Sequence, residues 1–318
     1  MVHRYAVAGL QRGRTRFGDK PFLVQGASLW RAPGRGFSMM LEKRIYTALL
    51  LVGGLIFALM QLSPESVSLL FLAIAAAGAW EWAALAGWSS RLLRSFLVAL
   101  FLGVCLYYTS VYAPCITSDA VSMRPVLGIA CFAWLATAFL VLSYPKLSVL
   151  WRSSVARSIM GIFVLGAGWL SLTFLLGLQH GWLLVILFVL TVAVADIGAY
   201  FIGHAWGKNP LAPDVSPAKT IEGLWGGLLA VFILGATVWW FLPPEYAHIH
   251  PVEVFLISLF CGGSSVLGDL TVSMFKRESG CKDSGSLLPG HGGLLDRLDS
   301  ICGAAPFFAL ALILVGYA

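Results

Sequence analysis

Nine apolar stretches of roughly 20 residues follow one another through this 318-residue chain, at about 45–62, 66–87, 94–113, 125–143, 158–178, 181–203, 222–242, 251–273 and 300–317. A helix of that length crosses the hydrocarbon core of a bilayer. No water is available there, so each backbone polar group must bond within the segment, as a helix allows. Charged residues make up only 11% of the chain and hydrophobic residues 59%, against about 25% charged in soluble domains. The pattern predicts an all-α, polytopic integral membrane protein with about nine transmembrane helices.

The spans part at Ser63-Pro64, Arg91, Pro114, Pro145, Gln179-His180, Lys208-Asn209-Pro210, Pro243-Pro244 and a polar run at 274–299. Nine spans place the N-terminus and the loops at 88–93, 144–157, 204–221 and 274–299 on one face. Beyond residue 40 that face holds 13 Lys and Arg, and the other holds Arg124 alone. By the positive-inside rule the cation-rich face lies in the cytoplasm, which predicts an inner-membrane protein with its polar loops turned to cytoplasmic nucleotide and metal. Residues 1–40 carry seven Lys and Arg against Asp19, whereas the remainder has no net charge. The basic excess therefore belongs to an extension, read as a disordered tail or as a start placed upstream of Met39 and Met40. It lacks the apolar core of a secretory signal, and a basic arm can touch anionic lipid. Residues 41–318 read as one transmembrane domain, and nothing points to nucleic acid. The six cysteines show no CxxC or CxxH spacing and read as small apolar residues.

Chemistry concentrates in residues 273–299, SMFKRESGCKDSGSLLPGHGGLLDRLD. Lys276, Arg277, Lys282 and Arg297 stand among Asp283, Asp296 and Asp299, with glycines between them. Both charge signs packed between membrane spans suit a divalent metal with phosphates. Carboxylates hold the metal and cations hold the phosphates. Glu81, Asp196 and Asp269 lie in or at the ends of apolar spans, where a charge is costly unless it is paired or faces a polar cavity. Asp269, Asp296 and Asp299 read as metal ligands for Mg²⁺, which takes one or two carboxylates plus substrate phosphate and water, or as partners of Lys276, Arg277 or Arg297 with no metal. Glu81 reads equally as a functional group or as one paired with a helix neighbour. Gly292 and Gly293 lack a Cβ and let backbone N–H groups approach a phosphate, beside His291 and the positive N-terminus of the last span. In the second polar loop, LAPDVSPAKTIEGLWGG, Ser216, Lys219 and Thr220 form a further anion site, or Thr220 simply caps the span that follows. No GxSxG or HExxH pattern occurs, so nucleophilic or zinc-dependent hydrolysis has no support.

Ser273, Phe275, Lys276, Arg277, Lys282, Asp283, Ser284, Gly285, Leu288, His291, Gly292, Gly293, Leu294, Asp296, Arg297, Leu298 and Asp299 together resemble the signature of the phosphatidate cytidylyltransferase (CDP-diacylglycerol synthase) family over 27 residues. AWEW at 79–82, DIGAYFIGHAWGK at 196–208 and SPAKTIEGLWGG at 216–227 resemble bacterial members. The resemblance implies transfer from CTP to phosphatidate in the membrane, Mg²⁺ dependence, an all-helical fold and a homodimer. It also implies that Asp269, Asp283, Asp296 and Asp299 form the metal and active-site group, with Lys276, Arg277 and Lys282 binding phosphate. A CTP-dependent kinase of polyprenol or phytol-type alcohols is the rival enzyme. A transporter using buried carboxylates as a relay is the rival of another class.

Overall fold

The computed structural model describes residues 50–116, 120–246, 248–285, 287 and 292–317. Helix α1 covers Leu50–Gln61. It is followed by α2 (Pro64–Leu85), α3 (Arg91–Ile116), α4 (Ala120–Leu142), α5 (Ser154–Gly177) and α6 (Gly181–Trp206). A short antiparallel hairpin, β1 (Pro210–Ala212) and β2 (Ser216–Thr220), leads into α7 (Ile221–Trp240), α8 (Pro251–Glu278) and α9 (Leu295–Leu314). Among the described residues, eight helices are long and apolar enough to cross a membrane, and α1 is the shorter ninth. The residues expected to begin the first span, 45–49, and the 1–40 extension lie outside the described residues.

Helix starts follow local chemistry. Ser63 accepts from the Ser66 amide at 3.3 Å, and Ser153 from that of Ala156 at 3.1 Å, satisfying orphan N–H groups of the first turn. Glu253 reaches back to the His250 amide at 2.8 Å ahead of α8. Between α5 and α6 the chain turns through His180, whose φ of 54° lies in the left-handed region. That sharp turn separates two helices that the sequence divides by only three residues.

Two boundaries differ from expectation. Helix α8 runs on to Glu278 and α9 begins at Leu295, so the predicted polar loop at 274–299 contracts to 279–294. Polarity there marks helix ends rather than loop. Lys276 and Arg277 sit in the last turn of α8, and Asp296 in the first turn of α9, where cations and anions respectively favour the helix dipole.

Successive helices alternate direction, so the ends of α2, α4, α6 and α8 meet the starts of α3, α5, α7 and α9. Contacts between sequence-distant residues fix this face. Arg157 Nη1 donates to Leu85 O at 3.1 Å, Ser279 Oγ to the same carbonyl at 2.6 Å, and Arg152 pairs with Glu278 at 3.1 Å. Tyr144 points at Glu278, and burial followed by that carboxylate raises its phenol above the usual range. Beneath the face, Phe275 packs against Trp82 and Trp151 with ring centroids 4.8 and 4.9 Å apart. Eleven of the twelve described Lys and Arg residues belong to this face. Arg124, the twelfth, reaches Ile313 O at the opposite end. Outward positions such as Phe132, Leu135 and Phe139 on α4 are exposed and apolar, as a lipid-facing surface requires.

Candidate active site

A cavity of about 590 Å³ opens between α6, the hairpin, the start of α7 and α8. Asp196, Tyr200 and His204 line it from α6, Ser216 and Lys219 from the hairpin, and Asp269 from α8. Lys219 forms an ion pair with Asp269 Oδ2, the two side chains being 25% and 31% exposed. Ser273 Oγ lies 3.1 Å from Asp269 Oδ1, one helical turn away. Asp196 is exposed and close enough for the charges of Lys219 and Asp269 to act on it. Asp299 is buried behind Asp269, within electrostatic reach of Asp269, Lys219 and Lys276. Glycine permits this meeting: a Cβ on Gly268 would strike the Asp299 carbonyl, and one on Gly303 would come within 2.6 Å of Gly268 Cα. Helices α8 and α9 are in backbone contact at the level of the two carboxylates.

The hairpin that delivers Lys219 pairs Pro210 with Thr220 and Ala212 with Ser216. It is fastened from two sides. Arg277 Nε donates to Val215 O at 3.0 Å. Glu222 accepts from the amides of Lys208 and Asn209 at 3.1 and 3.2 Å, and from Asn209 Nδ2 at 2.7 Å. Thr220 accepts from the Gly223 amide at 3.1 Å and caps α7.

A second cluster surrounds the loop between α8 and α9. Asp296 Oδ1 pairs with Lys276 Nζ at 2.8 Å, and its Oδ2 accepts the amides of Ser284 at 3.1 Å and Gly293 at 3.2 Å. Glu81, on α2 and 3% exposed, accepts through Oε2 from Ser284 Oγ at 3.0 Å and from the Leu295 amide at 2.9 Å. A Cβ on Gly293 would overlap both Ser284 and Glu81. Gly292 adopts a φ of 83°, in the region that favours glycine.

The predicted residues therefore divide. Asp269, Ser216, Lys219 and Thr220 line the cavity, and Asp299 lies behind it. Lys276 and Asp296 bind each other, and both Asp296 oxygens are taken by three donors. Asp296 and Lys276 are thus each other's partners here, the charge pairing that the sequence also allowed. Arg277 grips the hairpin backbone through Nε rather than presenting that nitrogen to phosphate. The absent Cβ of Gly293 makes room for Glu81 and Ser284, and the first N–H of α9 is satisfied by Glu81. The anion at that helix N-terminus is thus the protein's own carboxylate. Asp283 is exposed beside Gly292, and Lys282 and Arg297 are exposed on the same face. His291 lies outside the described residues. Asp196 and Asp269 stand ten and nine residues inside the ends of α6 and α8, about 14–15 Å along each helix axis. Both lie in the half of their helix nearer the cation-rich face.

Tyr200, His204 and Glu222 were not singled out from sequence. A polar or aromatic residue four positions from another on an apolar helix was the available signal: Asp196, Tyr200 and His204 share one face of α6 at that spacing. Among the described residues no three His, Cys, Asp or Glu side chains gather to hold a metal by themselves. The oxygen donors at Asp269 and Asp299 fit Mg²⁺ in the mode where substrate phosphates and water complete the shell.

The family described as the cytidylyltransferase family matches residues 42–315. The chain is 37% identical over 282 residues to the phosphatidate cytidylyltransferase of Haemophilus influenzae, covering 85% of this chain and 98% of that one. It is 38% identical over 287 residues to the phosphatidate cytidylyltransferase of Pseudomonas aeruginosa, covering 87% and 99%. It is 47% identical over 138 residues to that of Synechocystis, covering 42% and 45%.

Proposed function

The chain belongs to the cytidylyltransferase family, and from that premise we propose that it transfers the cytidylyl group of CTP to phosphatidate, giving CDP-diacylglycerol and pyrophosphate. The observation that carries the reading is the cavity that Lys219, Asp196 and Asp269 line, with Asp299 buried behind it, inside a membrane-embedded bundle. Cation and carboxylates at one place suit two phosphorylated substrates, one of them bound to the bilayer.

A phosphate oxygen of phosphatidate attacks the α-phosphorus of CTP. The bond from the α-phosphorus to the bridging oxygen breaks, and pyrophosphate leaves with its electron pair. The attacking oxygen is already ionised near neutral pH, so no protein base or nucleophile is required. Catalysis rests on positioning and on offsetting crowded negative charge. Lys219, steadied by Asp269, presents an ammonium to the phosphates. Glu222 and Arg277 hold the hairpin that aims it. Mg²⁺, when held by Asp269 and Asp299, would supply further positive charge against the triphosphate. Asp196 and Tyr200 are exposed on the flank of α6, and there the headgroup enters while the acyl chains stay in lipid. The cation-rich face is cytoplasmic by the positive-inside rule, in the inner membrane, where CTP is supplied.

Purified protein given labelled CTP, phosphatidate and Mg²⁺ should yield CDP-diacylglycerol and pyrophosphate. Excess EDTA should stop the reaction and added Mg²⁺ restore it. A phosphorylated alcohol with CDP, from a polyprenol or phytol-type substrate, would assign the lipid-kinase reaction instead.

A further inference from the structure

Helix α9 carries Asp299 to the cavity, yet its N-cap, Leu294, makes no side-chain cap hydrogen bond. The group that takes its first amide is Glu81, 214 residues away on α2. The same oxygen of Glu81 accepts the Ser284 hydroxyl. Ser284 is itself 5% exposed and gives its amide to Asp296. One buried serine is thus held by two carboxylates from different helices, its hydroxyl on Glu81 and its amide on Asp296. Asp296 in turn binds Lys276 on α8. The other Glu81 oxygen, Oε1, is buried and makes no hydrogen bond among the described residues. It occupies the space that a side chain at Gly285 would fill. A carboxylate placed there for an ion pair would be expected to face a cation. This one faces an amide, a hydroxyl and two glycines.

We propose that Glu81 is a positioning residue: it caps α9 from α2 and, with Ser284, fixes the loop between α8 and α9 so that Asp299 stands in register with Asp269 and Lys219. The inference rests on the cytidylyl-transfer reading of that cavity. Glu81 touches neither the cavity lining nor the reacting atoms. It acts through accepted hydrogen bonds rather than through its charge. A glutamine carbonyl can accept the same two bonds, whereas alanine accepts neither.

The test compares Glu81→Ala, Glu81→Gln and Ser284→Ala with the unaltered protein, all purified in one detergent. It reads kcat, KM for each substrate and thermal unfolding. Unaltered protein that forms no CDP-diacylglycerol would defeat the functional reading itself, a result separable from everything below. With active unaltered protein, Glu81→Ala should lower kcat by roughly 100-fold, the scale on which a misplacement of about 1 Å acts. KM for phosphatidate should stay within about twofold. Glu81→Gln should recover most of that kcat. Ser284→Ala should lower kcat by less, and adding it to Glu81→Ala should cost little more, because both act on one latch. Full kcat in Glu81→Ala would overturn the proposal. So would a Glu81→Gln protein that folds normally and is as inactive as Glu81→Ala, since that points to a role for the charge. Where Glu81→Ala cannot be recovered folded, Ser284→Ala decides alone, and an unchanged kcat there refutes the latch.

Discussion

Lys219 and Asp269 answer each other across the cavity, and each leaves the other uncompensated when removed. Lys219→Met deletes a charge-assisted contact of about 1.5–3 kcal/mol. The expected loss in kcat/KM for CTP is roughly 10–150-fold in steady-state assays, with the protein still inserted and folded. Two carboxylates near this point make opposite predictions for metal. Asp269→Asn should raise the Mg²⁺ concentration for half-maximal activity by at least about tenfold, because a carboxylate of the cavity lining is lost. Asp296→Asn should cut kcat while leaving that concentration nearly unchanged, because both its oxygens already serve Lys276, Ser284 and Gly293. A Mg²⁺ titration of each variant separates the two roles. Sequence exposed these residues by type and crowding, since carboxylates in apolar segments are expensive. It could not say what holds Asp296, because its partners include two backbone amides, and no side-chain pattern encodes those. Glu81 illustrates the same limit at longer range: its partners lie 203 and 214 residues away.

The spans were legible because about 20 apolar residues have one economical state in a bilayer. Their ends were not, since the last turn of α8 and the first turn of α9 are polar and still helical. The hairpin was also hidden. Its strands have three and five residues, and Pro210, Pro213 and Pro217 interrupt any alternation. Tertiary bonds from Arg277 and Glu222 hold it, not strand propensity. Between elements the decisive feature is the backbone approach of α8 to α9 at Gly268 and Gly303. Gly268→Ala would drive a methyl group into the Asp299 carbonyl, so α9 must move away. Overpacking of this kind costs about 1–3 kcal/mol. The variant should melt at a lower temperature and lose at least about tenfold in kcat, because Asp299 leaves Asp269. Gly263→Ala, five residues earlier on α8, meets no atom outside its own stretch of helix within 4 Å and should leave both properties near those of the unaltered protein.

At the scale of the molecule, alternating helices gather the hairpin, the α8–α9 loop and eleven of twelve described cations on one face. Such asymmetry orients a polytopic chain during insertion, and the proposed orientation has the cavity on the side where nucleotide is made. Among the described cysteines, Cys281 is exposed on that face, while Cys105, Cys131, Cys261 and Cys302 are buried. A membrane-impermeant maleimide can therefore report the orientation, in protein whose Cys115 has been replaced by serine. Sealed inside-out vesicles should label Cys281 rapidly, and sealed right-side-out vesicles should not label it until detergent is added. CTP supplied outside the inside-out vesicles should be turned over by the same population that labels. Labelling confined to right-side-out vesicles would put this face where CTP is absent, and a cytoplasmic cytidylyl transfer could not then be this chain's reaction.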